Sequence, residues 1–408
     1  MGECRERCER ALQEIEPDTT FDARLRMWLQ INLAISLFDT MGSATRARDL
    51  LIAAFETAET LNDLDGQARI LSRLVPHYLF RAEHSEARAA AERLGRVARR
   101  IGDPAIMQMA DRRLGDAFVM LGRPREAQRL LERFLEVVPS TADQARPLWY
   151  PADHRASARA FLARALWLQG FLDRAYSEAQ ASVDELRVTD DQLLCRVLYL
   201  GMCRIAPSTG NFAAAEQSVA RLVEAATSLN APFWRTAGLL LSGKLMIERG
   251  DFAHGVATLC DALSACRKTG WRMSYPEFNA TLASGLAGLG EIDKALDAVN
   301  EGLTAAVRGE DGHDLYLAEA LRVKGDVLLQ REAPLAAEEC FREALDTTRK
   351  QHALLWELRV ALSLARLRVI ERRTDEARQL LASVYDRFTE GFEAPDLRAA
   401  RALLDTLR

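Results

Sequence analysis

A small residue recurs about every 40 positions along almost the whole of this 408-residue chain. Nine such residues align, and each is called here the anchor of its repeat: Ala47, Ala87, Ala127, Ala175, Ala215, Gly255, Ala295, Ala337 and Ala377. Their successive spacings are 40, 40, 48, 40, 40, 40, 42 and 40 residues. A fixed period of roughly 20–50 residues is typical of solenoids, whose units stack because none can bury its apolar face alone. The period therefore predicts a stacked architecture, and it favours binding over catalysis.

Other positions of the repeat predict that each unit is two helices joined by a short turn. The residue twelve positions before the anchor is small in seven of the nine repeats, as at Gly115 and Gly243, and a bulky apolar residue usually stands nine positions before it. Small residues allow two helix backbones to approach, and large ones fill the space beside them. A glycine five positions before the anchor ends the first helix, because it adopts the left-handed conformation without steric cost. This glycine occurs in six repeats: Gly42, Gly122, Gly170, Gly210, Gly250 and Gly290.

This pattern of small residue, bulky residue, turn and alanine resembles tetratricopeptide-like repeats, in a longer form of about 40 residues. The segments LGDAF (114–118) and KGDVL (324–328) carry it most clearly, whereas the Trp and Pro of the strict motif are mostly missing. The resemblance implies an all-α, right-handed superhelical solenoid of about nine helix pairs. We expect one continuous solenoid with these parts: an N-terminal half-repeat or cap helix at 1–20, repeats 1–3 at 21–138, a Pro- and aromatic-rich loop at 139–154, repeats 4–9 at 155–392 and a C-terminal cap helix at 393–408.

Composition and charge indicate a folded protein without a membrane or secretory segment. Hydrophobic residues make up 49% of the chain and charged residues 28%, with a net charge of −5, as in ordinary globular proteins. No apolar run approaches the roughly 18 residues that cross a membrane, and the N-terminus is charged where a signal peptide would be apolar. The seven cysteines are scattered, as expected of buried thiols in a reducing compartment. We therefore expect a cytoplasmic protein.

The motifs in the chain do not favour an enzyme, a cofactor or a metal site. The segment GLLLSGKL (238–245) is close to a phosphate-binding loop, but Leu245 replaces the required hydroxyl residue and the segment lies in a predicted helix. The six histidines are dispersed, and Cys4 and Cys8 have no second pair of ligands. No hydrolase nucleophile motif or zinc-protease motif occurs. We expect a non-catalytic protein with no cofactor and no metal.

Several segments are similar to the helical-repeat region of bacterial signal-transduction ATPases of the STAND type. They are ARALWLQGF (163–171), LAEALRVKGD (317–326), AEECFREAL (337–345), WELRVALSLARL (356–367) and VYDRFTEGF (384–392) with PDL (395–397). In that family a nucleotide-binding domain precedes the repeats, and a winged-helix DNA-binding domain or a nucleotide cyclase domain gives the output. The resemblance implies that the chain is the protein-interaction or effector-sensing module of a transcriptional regulator or signalling ATPase, attached to or associated with its ATPase and output domains.

Two other functions remain open on the residues alone. One is a free-standing scaffold or adaptor, and the other is an intracellular receptor for a peptide pheromone, since such receptors also use repeats of this length. The expected partner is a protein or peptide, with a small anionic effector as the alternative. Direct binding to nucleic acid is not expected, because the arginines of residues 81–133 are interleaved with acidic residues and the whole chain is acidic.

Three cations at one repeat position form a candidate binding strip. Eleven residues before the anchor, repeats 4, 5 and 6 carry Arg164, Arg204 and Lys244. In helix-pair solenoids the first helix of each unit lines the concave face, so residues at one position recur along that face. We hypothesise that these cations bind an anionic ligand or an acidic peptide, with forked donors from the two arginines. The alternative is that nearby carboxylates pair with all three.

The insertion between repeats 3 and 4 is the second candidate site. The longer spacing adds eight residues there, and Pro147 and Pro151 exclude a continuous helix. Trp149 and Tyr150 lie between these prolines, and aromatic residues on loops often make contacts. We expect them either to bind a partner or to fill the groove between repeats 3 and 4.

Overall fold

The computed structural model describes residues 2–15, 20–41, 44–137, 153–186, 191–306 and 314–407. Within these ranges the chain is almost entirely helical and contains no strand. None of the described helices combines the length and the apolar character needed to cross a membrane. In chain order the helices are α1 (Gly2–Glu14), α2 (Thr20–Met41), α3 (Ala44–Thr60), α4 (Leu64–Phe80), α5 (His84–Ile101), α6 (Pro104–Met120), α7 (Pro124–Glu136), α8 (Asp153–Leu168), α9 (Leu172–Asp184), α10 (Asp191–Leu200), α11 (Met202–Ser208), α12 (Phe212–Ser228), α13 (Pro232–Glu248), α14 (Phe252–Thr269), α15 (Tyr275–Gly288), α16 (Ile292–Ala306), α17 (Leu317–Gln330), α18 (Pro334–Gln351), α19 (Leu354–Ile370), α20 (Thr374–Tyr385) and α21 (Pro395–Thr406).

The helices pair as nine repeats, and they confirm the all-α, right-handed superhelical solenoid that the sequence predicts. Each repeat has a first helix and a second helix, and the second helix contains the anchor. The pairs are α2/α3, α4/α5, α6/α7, α8/α9, α10–α11/α12, α13/α14, α15/α16, α17/α18 and α19/α20, numbered here as repeats 1 to 9. All nine anchors are buried, so the residues that define the period are also those that the helix pairs enclose.

The small residue twelve positions before the anchor allows the two helices of a repeat to touch. A Cβ atom at Gly115 would lie only 2.9 Å from Cγ of Leu131, and one at Gly243 would lie 2.9 Å from Cγ of Leu259. Both leucines stand four residues after their anchors, on the second helix. Side chains in protein interiors are too closely packed to admit a further atom at that distance. The size pattern of the repeat therefore sets how closely each helix pair packs.

The superhelix completes one turn in five repeats, and its second turn lies directly on the first. The carbonyl oxygen of Phe80, which ends the first helix of repeat 2, accepts hydrogen bonds from the N–H groups of Arg272 and Met273 (2.9 and 3.0 Å). These two residues immediately precede the first helix of repeat 7. In the same way Met120, which ends the first helix of repeat 3, accepts from the N–H of Leu315, which precedes repeat 8 (3.1 Å).

The contact between the two superhelical turns continues to the C-terminal helix. The carboxylate of Asp173 in repeat 4 accepts a hydrogen bond from the N–H of Gly391, 218 residues further along the chain (3.1 Å). Pro395, the first residue of α21, lies against the turn of repeat 5, with its Cδ 3.4 Å from where a Cβ of Gly210 would stand. Helix α21 therefore takes the place of the first helix of a tenth repeat.

Aromatic side chains fill much of the space between the two turns. The ring centroids of Phe80 and Phe233 are 5.1 Å apart, and those of Phe233 and Trp271 are 4.7 Å apart. Further along, Trp167 of repeat 4 meets Trp356 of repeat 9 edge to face, with ring centroids 4.7 Å apart. Tilted and edge-to-face arrangements are the favourable ones for aromatic pairs. These contacts pack the second turn against the first.

The observed helix bounds differ slightly from the predicted parts. Helix α2 begins at Thr20, one residue before the expected start of repeat 1. Helix α8 begins at Asp153, so the last two residues of the loop expected at 139–154 are helical. The sequence explains this, because Pro151 is the last proline before α8 and nothing after it opposes a helix. The last helix lies within the cap expected at 393–408.

Two glycine turns provide a test of the stacking. Gly170 and Gly250 have nearly the same left-handed backbone (φ 88° and 87°), but a Cβ at Gly170 would lie 2.7 Å from Cε1 of Phe388, whereas nothing lies within 4 Å of one at Gly250. We expect Gly250→Ala to cost about 1 kcal/mol through backbone strain. Gly170→Ala should cost about 1–3 kcal/mol more, because Phe388 has to move. Thermal unfolding followed by circular dichroism measures both, and equal losses would contradict the stacking.

Candidate ligand-binding cavity

A cavity of about 470 Å³ lies between the first helices of repeats 6 to 9 and α21. In repeats 7 to 9 most of its wall comes from positions 18, 15, 14 and 11 residues before the anchors, which in repeat 7 are Glu277, Ala280, Thr281 and Ser284. Residues spaced by three and four positions share one face of a helix. The same face of successive first helices therefore lines the concave side of the second superhelical turn. The volume is within the range of small-molecule pockets, roughly 300–1,000 Å³.

Lys244 lies in the cavity wall, where two carboxylates hold it. Its Nζ is 2.8 Å from Oε1 of Glu248, one helical turn further along α13, and 3.5 Å from Oε1 of Glu277 in α15. Burial opposes the charge of this ammonium group, but the two carboxylates outweigh burial and raise the pKa of Lys244. The wall at this point is therefore an ion cluster that joins repeats 6 and 7.

Arg204 lies on the first helix of repeat 5 and is buried. Its guanidinium donates hydrogen bonds to the carboxylate of Glu277, to the hydroxyl of Tyr316 (3.1 Å) and to the carbonyl oxygen of Tyr199 (3.0 Å). Burial opposes the ionisation of Glu277, but Arg204 and Lys244 outweigh it and lower the pKa of this carboxyl. Glu277 therefore balances two cations that come from two different repeats.

Arg164, on the first helix of repeat 4, reaches the same group of residues. It is fully buried, and its Nη2 donates a hydrogen bond to the hydroxyl of Tyr316, 152 residues further along the chain (2.7 Å). Tyr316 immediately precedes repeat 8, so this bond joins the two superhelical turns. The structure thus brings Arg164, Arg204 and Lys244 together around Glu277 and Tyr316.

The accessibility of this strip differs from the sequence-based expectation. Of the three cations, Lys244 lines the cavity, whereas Arg164 and Arg204 are buried. The physical reason is the second superhelical turn, which closes over the concave face of repeats 4 and 5. Pairing with carboxylates, the alternative reading, is present at Arg204 and Lys244. A role of the three cations in ligand binding stays a prediction.

A second ion cluster forms the wall in repeats 8 and 9. Glu319 contacts Arg322 (2.8 Å) and Arg359 (3.3 Å), and Arg359 also contacts Asp396 of α21 (2.7 Å). Burial opposes the charge of Glu319, but Arg322 and Arg359 outweigh it and lower the pKa of this carboxyl from 4.5 to about 2. The cluster ties α17, α19 and α21 to one another.

Arg366 is the exception among the cations of the wall. It stands eleven residues before the anchor of repeat 9, and its side chain is exposed. Its guanidinium interacts with Asp326 electrostatically, but the side chain forms no hydrogen bond or ion pair with any residue in the described part of the chain. Guanidinium groups bind carboxylates and phosphates through paired donors. Among the cations of the wall, Arg366 is therefore the one whose donors have no partner in the described part of the chain.

Sequence reasoning missed the acidic side of this cavity. It followed the position eleven residues before the anchor, where Lys244, Ser284 and Arg366 do line the wall. It did not follow the position eighteen residues before the anchor, which carries Glu277 and Glu319. Aligning the repeats places the two glutamates at the same position, and this recurrence could have identified the acidic side from the sequence.

The other predicted site, the pair Trp149 and Tyr150, lies outside the described residues. Within the described ranges, no group of three or more His, Cys, Asp or Glu side chains is arranged to hold a metal ion.

Neither a protein-family model nor a curated protein sequence matches the chain. Among solved structures, it is similar to a chain of the APC/C hetero-tetramer Cut9-Hcn1, with a TM-score of 0.51 and 16% identity, over 81% of this chain and 55% of that one. It is also similar to a Rap protein complexed with Competence and Sporulation Factor, with a TM-score of 0.52 and 10% identity, over 83% of this chain and 97% of that one. At these identities the likeness shows the fold alone, a solenoid of tetratricopeptide-like repeats.

A more distant likeness is to a STAND protein with a tetratricopeptide repeat sensor, PH0952 from Pyrococcus horikoshii. The TM-score is 0.47 and the identity 13%, over 94% of this chain. The match covers 55% of that protein's chain, and the match to the Cut9-Hcn1 chain likewise covers 55% of it.

The depressed pKa of Glu319 predicts acid sensitivity. A carboxyl whose pKa is lower in the folded state stabilises the fold above its ordinary pKa, and that stability is lost as pH falls toward the folded value. We expect the melting temperature of the wild type to fall between pH 4.5 and about 2, with a loss of about 3 kcal/mol attributable to this group. Glu319→Gln should be less stable at neutral pH and should lose less on acidification.

The matched control is Glu339→Gln, because Glu339 is exposed on α18, away from the cavity. Melting curves by circular dichroism at several pH values compare the three proteins. A Glu319→Gln profile parallel to that of the wild type would contradict the assignment.

Proposed function

We propose that this chain is a non-catalytic, effector-sensing module that binds a protein or peptide through the concave cavity of repeats 6 to 9. The observation that carries the proposal is the cavity itself, which is lined by four first helices and α21, has most of its charges held in ion pairs and leaves Arg366 exposed. Solenoids commonly bind partners on this face, because stacking makes it continuous and concave. The scaffold agrees with such a role, since its repeats are of the tetratricopeptide-like kind.

The ligand in this proposal carries an acidic group that Arg366 binds. Arg366, Ser284 and Lys244 stand at the same position of repeats 9, 7 and 6, and all three line the cavity. A peptide carboxylate or a small anionic effector at Arg366 would place the rest of an extended ligand beside Ser284. Lys244 is the secondary contact, because a ligand anion there has to compete with two carboxylates already paired with it.

The buried cations connect this ligand site to the first superhelical turn. Arg204 and Arg164 position Glu277 and Tyr316 from behind the wall. A ligand that attracts Lys244 weakens its pairing with Glu277, and this changes the balance of charge at Arg204. Ligand binding then shifts the population of arrangements of the two turns, which is the form in which an effector signal can reach another domain.

In the same proposal the chain belongs to a bacterial transcriptional regulator or a STAND-type signalling ATPase in the cytoplasm. Its ATPase and output domains are attached to it or associate with it. Sequencing the coding DNA immediately upstream of Met1 tests this part. A reading frame that continues into a phosphate-binding-loop ATPase supports it, whereas a stop codon and ribosome-binding site directly before Met1 favour a free-standing adaptor.

A receptor for a peptide pheromone is the second candidate. It is favoured by the similarity to the Rap protein complexed with Competence and Sporulation Factor, which extends over 97% of that protein's length. The two candidates share the cavity and differ in the ligand. Tight binding of a short secreted peptide from the source culture would favour the receptor over the sensor of a small effector.

We expect Arg366→Glu to weaken ligand binding at least tenfold. The probe is a set of heptapeptides selected from a random phage-displayed library on the full chain, each synthesised and titrated by calorimetry. Reversing the charge removes a paired, charge-assisted contact and adds repulsion, which together are worth about 1.4 kcal/mol or more. The selected peptides should carry Asp, Glu or a free C-terminal carboxylate as their shared feature.

The matched control is Lys350→Glu, because Lys350 is exposed on α18 outside the cavity and the charge change is the same. Its affinities should equal those of the wild type. Peptides that bind both variants as tightly as the wild type would place the binding surface elsewhere and contradict the proposal.

A further inference from the structure

The second superhelical turn ends in an uncovered edge. In the first turn, the residue seven positions before the anchor is apolar and buried in repeats 2, 3 and 4, as Phe80, Met120 and Leu168. The equivalent residue of repeat 9 is Ile370, and 74% of it is exposed. The difference lies in what covers the turn, because repeats 7 to 9 cover repeats 2 to 4, whereas no described residue covers the edge of repeats 6 to 9.

Neighbouring turns show the same contrast. Leu121 is buried in repeat 3, but Leu289, at the same position of repeat 7, is 43% exposed. Leu335, near the start of the second helix of repeat 8, is 79% exposed. Three large apolar side chains therefore stand on one edge of the molecule, at or next to the turns of repeats 7, 8 and 9. We call this edge, defined by Leu289, Leu335 and Ile370, the open edge.

Two charged residues stand at the turn tips of the open edge. Five positions before the anchor, repeats 8 and 9 carry Glu332 and Arg372, where the other seven repeats carry glycine or alanine. Both have a left-handed backbone (φ 59° and 61°) and are exposed. Neither forms a hydrogen bond or ion pair through its side chain with another residue of the described ranges. A residue with a side chain is less favourable than glycine in a left-handed backbone conformation. Glu332 and Arg372 are therefore both in a strained conformation.

The geometry points to self-association: we propose that two copies of this chain meet open edge to open edge about a two-fold axis. A two-fold axis sets each patch against its own copy, and symmetric pairs of this kind are the commonest protein assemblies. Because Glu332 and Arg372 are opposite in sign and lie in adjacent repeats, the axis sets Glu332 of each copy against Arg372 of the other. In this arrangement the contact also removes Leu335 and Ile370 from water, which favours association.

Head-to-tail stacking fits the open edge less well. The opposite end of the superhelix presents the turns before repeats 2 and 3, which carry Asn62 with Asp63 and Gly102 with Asp103. In a head-to-tail contact these polar residues would face the apolar side chains of the open edge. Glu332 and Arg372 would then not meet their own oppositely charged counterparts in the second copy. The residues that define the open edge do not line the ligand cavity, and Ile370 stands one helical turn after Arg366 on α19.

Sedimentation velocity over a concentration series tests the proposal on the full chain. We expect the wild type to form a dimer with a Kd at or below about 10 μM. Glu332→Arg and Arg372→Glu should each weaken it at least tenfold, since each sets like charges against one another. The double variant Glu332→Arg/Arg372→Glu should restore the Kd to within about threefold of the wild type.

Matched controls keep the result specific. Glu339→Arg and Arg378→Glu make the same charge changes at exposed positions of α18 and α20, and they should leave the Kd unchanged. Ile370→Glu should abolish the dimer while the circular dichroism spectrum stays that of the wild type, because the residue is exposed.

Three outcomes overturn the proposal. They are a wild type that is monomeric at about 100 μM, a double charge swap that fails to restore the dimer, and a control variant that weakens the dimer as much as the swaps do.

Discussion

The stacking of the second superhelical turn on the first is the constraint on which the other features of this molecule depend. It uses backbone groups that a helix leaves unpaired at its ends, the carbonyl oxygens at the end of one first helix and the N–H groups before another. Phe80 and Met120 supply the carbonyl oxygens, and residues just before repeats 7 and 8 supply the donors. Because this contact is made, the concave face of the first turn becomes interior. Arg164 and Arg204 are then buried, and the cavity remains on the concave side of the second turn.

Burial of Arg204 requires compensation, and the structure provides it at some distance in sequence. Removing a charge from water costs several kcal/mol unless a partner and hydrogen bonds replace the solvent. For Arg204 the partner is Glu277, 73 residues away and on the other superhelical turn. The charged wall of the cavity therefore has a structural role. The carboxylate of Glu277 pairs with the buried Arg204, and it also lines the proposed ligand site together with Lys244.

The local design of the repeat could be predicted from the sequence, but the superhelical geometry could not. The anchors, the small residue at Gly115 and its contact with Leu131 follow from a size pattern that most repeats show within 20 residues. Whether repeat 2 meets repeat 7 depends on the total rotation accumulated over the intervening repeats. Each repeat adds a small packing angle, and no single residue of the sequence determines it. For that reason the burial of Arg164 and Arg204, and the role of Glu277, appeared only with the structure.

The five-repeat turn also limits how a chain like this can change in evolution. An open solenoid can gain or lose one repeat, because each unit contacts only its neighbours. Here repeat 2 is bonded to repeat 7 and repeat 3 to repeat 8. Deleting one repeat between them would move every later unit by one place and set side chains such as Trp356 beside the wrong partners. The repeat number between paired units is therefore fixed by the fold, and such a chain should diversify by substitution and by loop insertion rather than by duplication of single repeats.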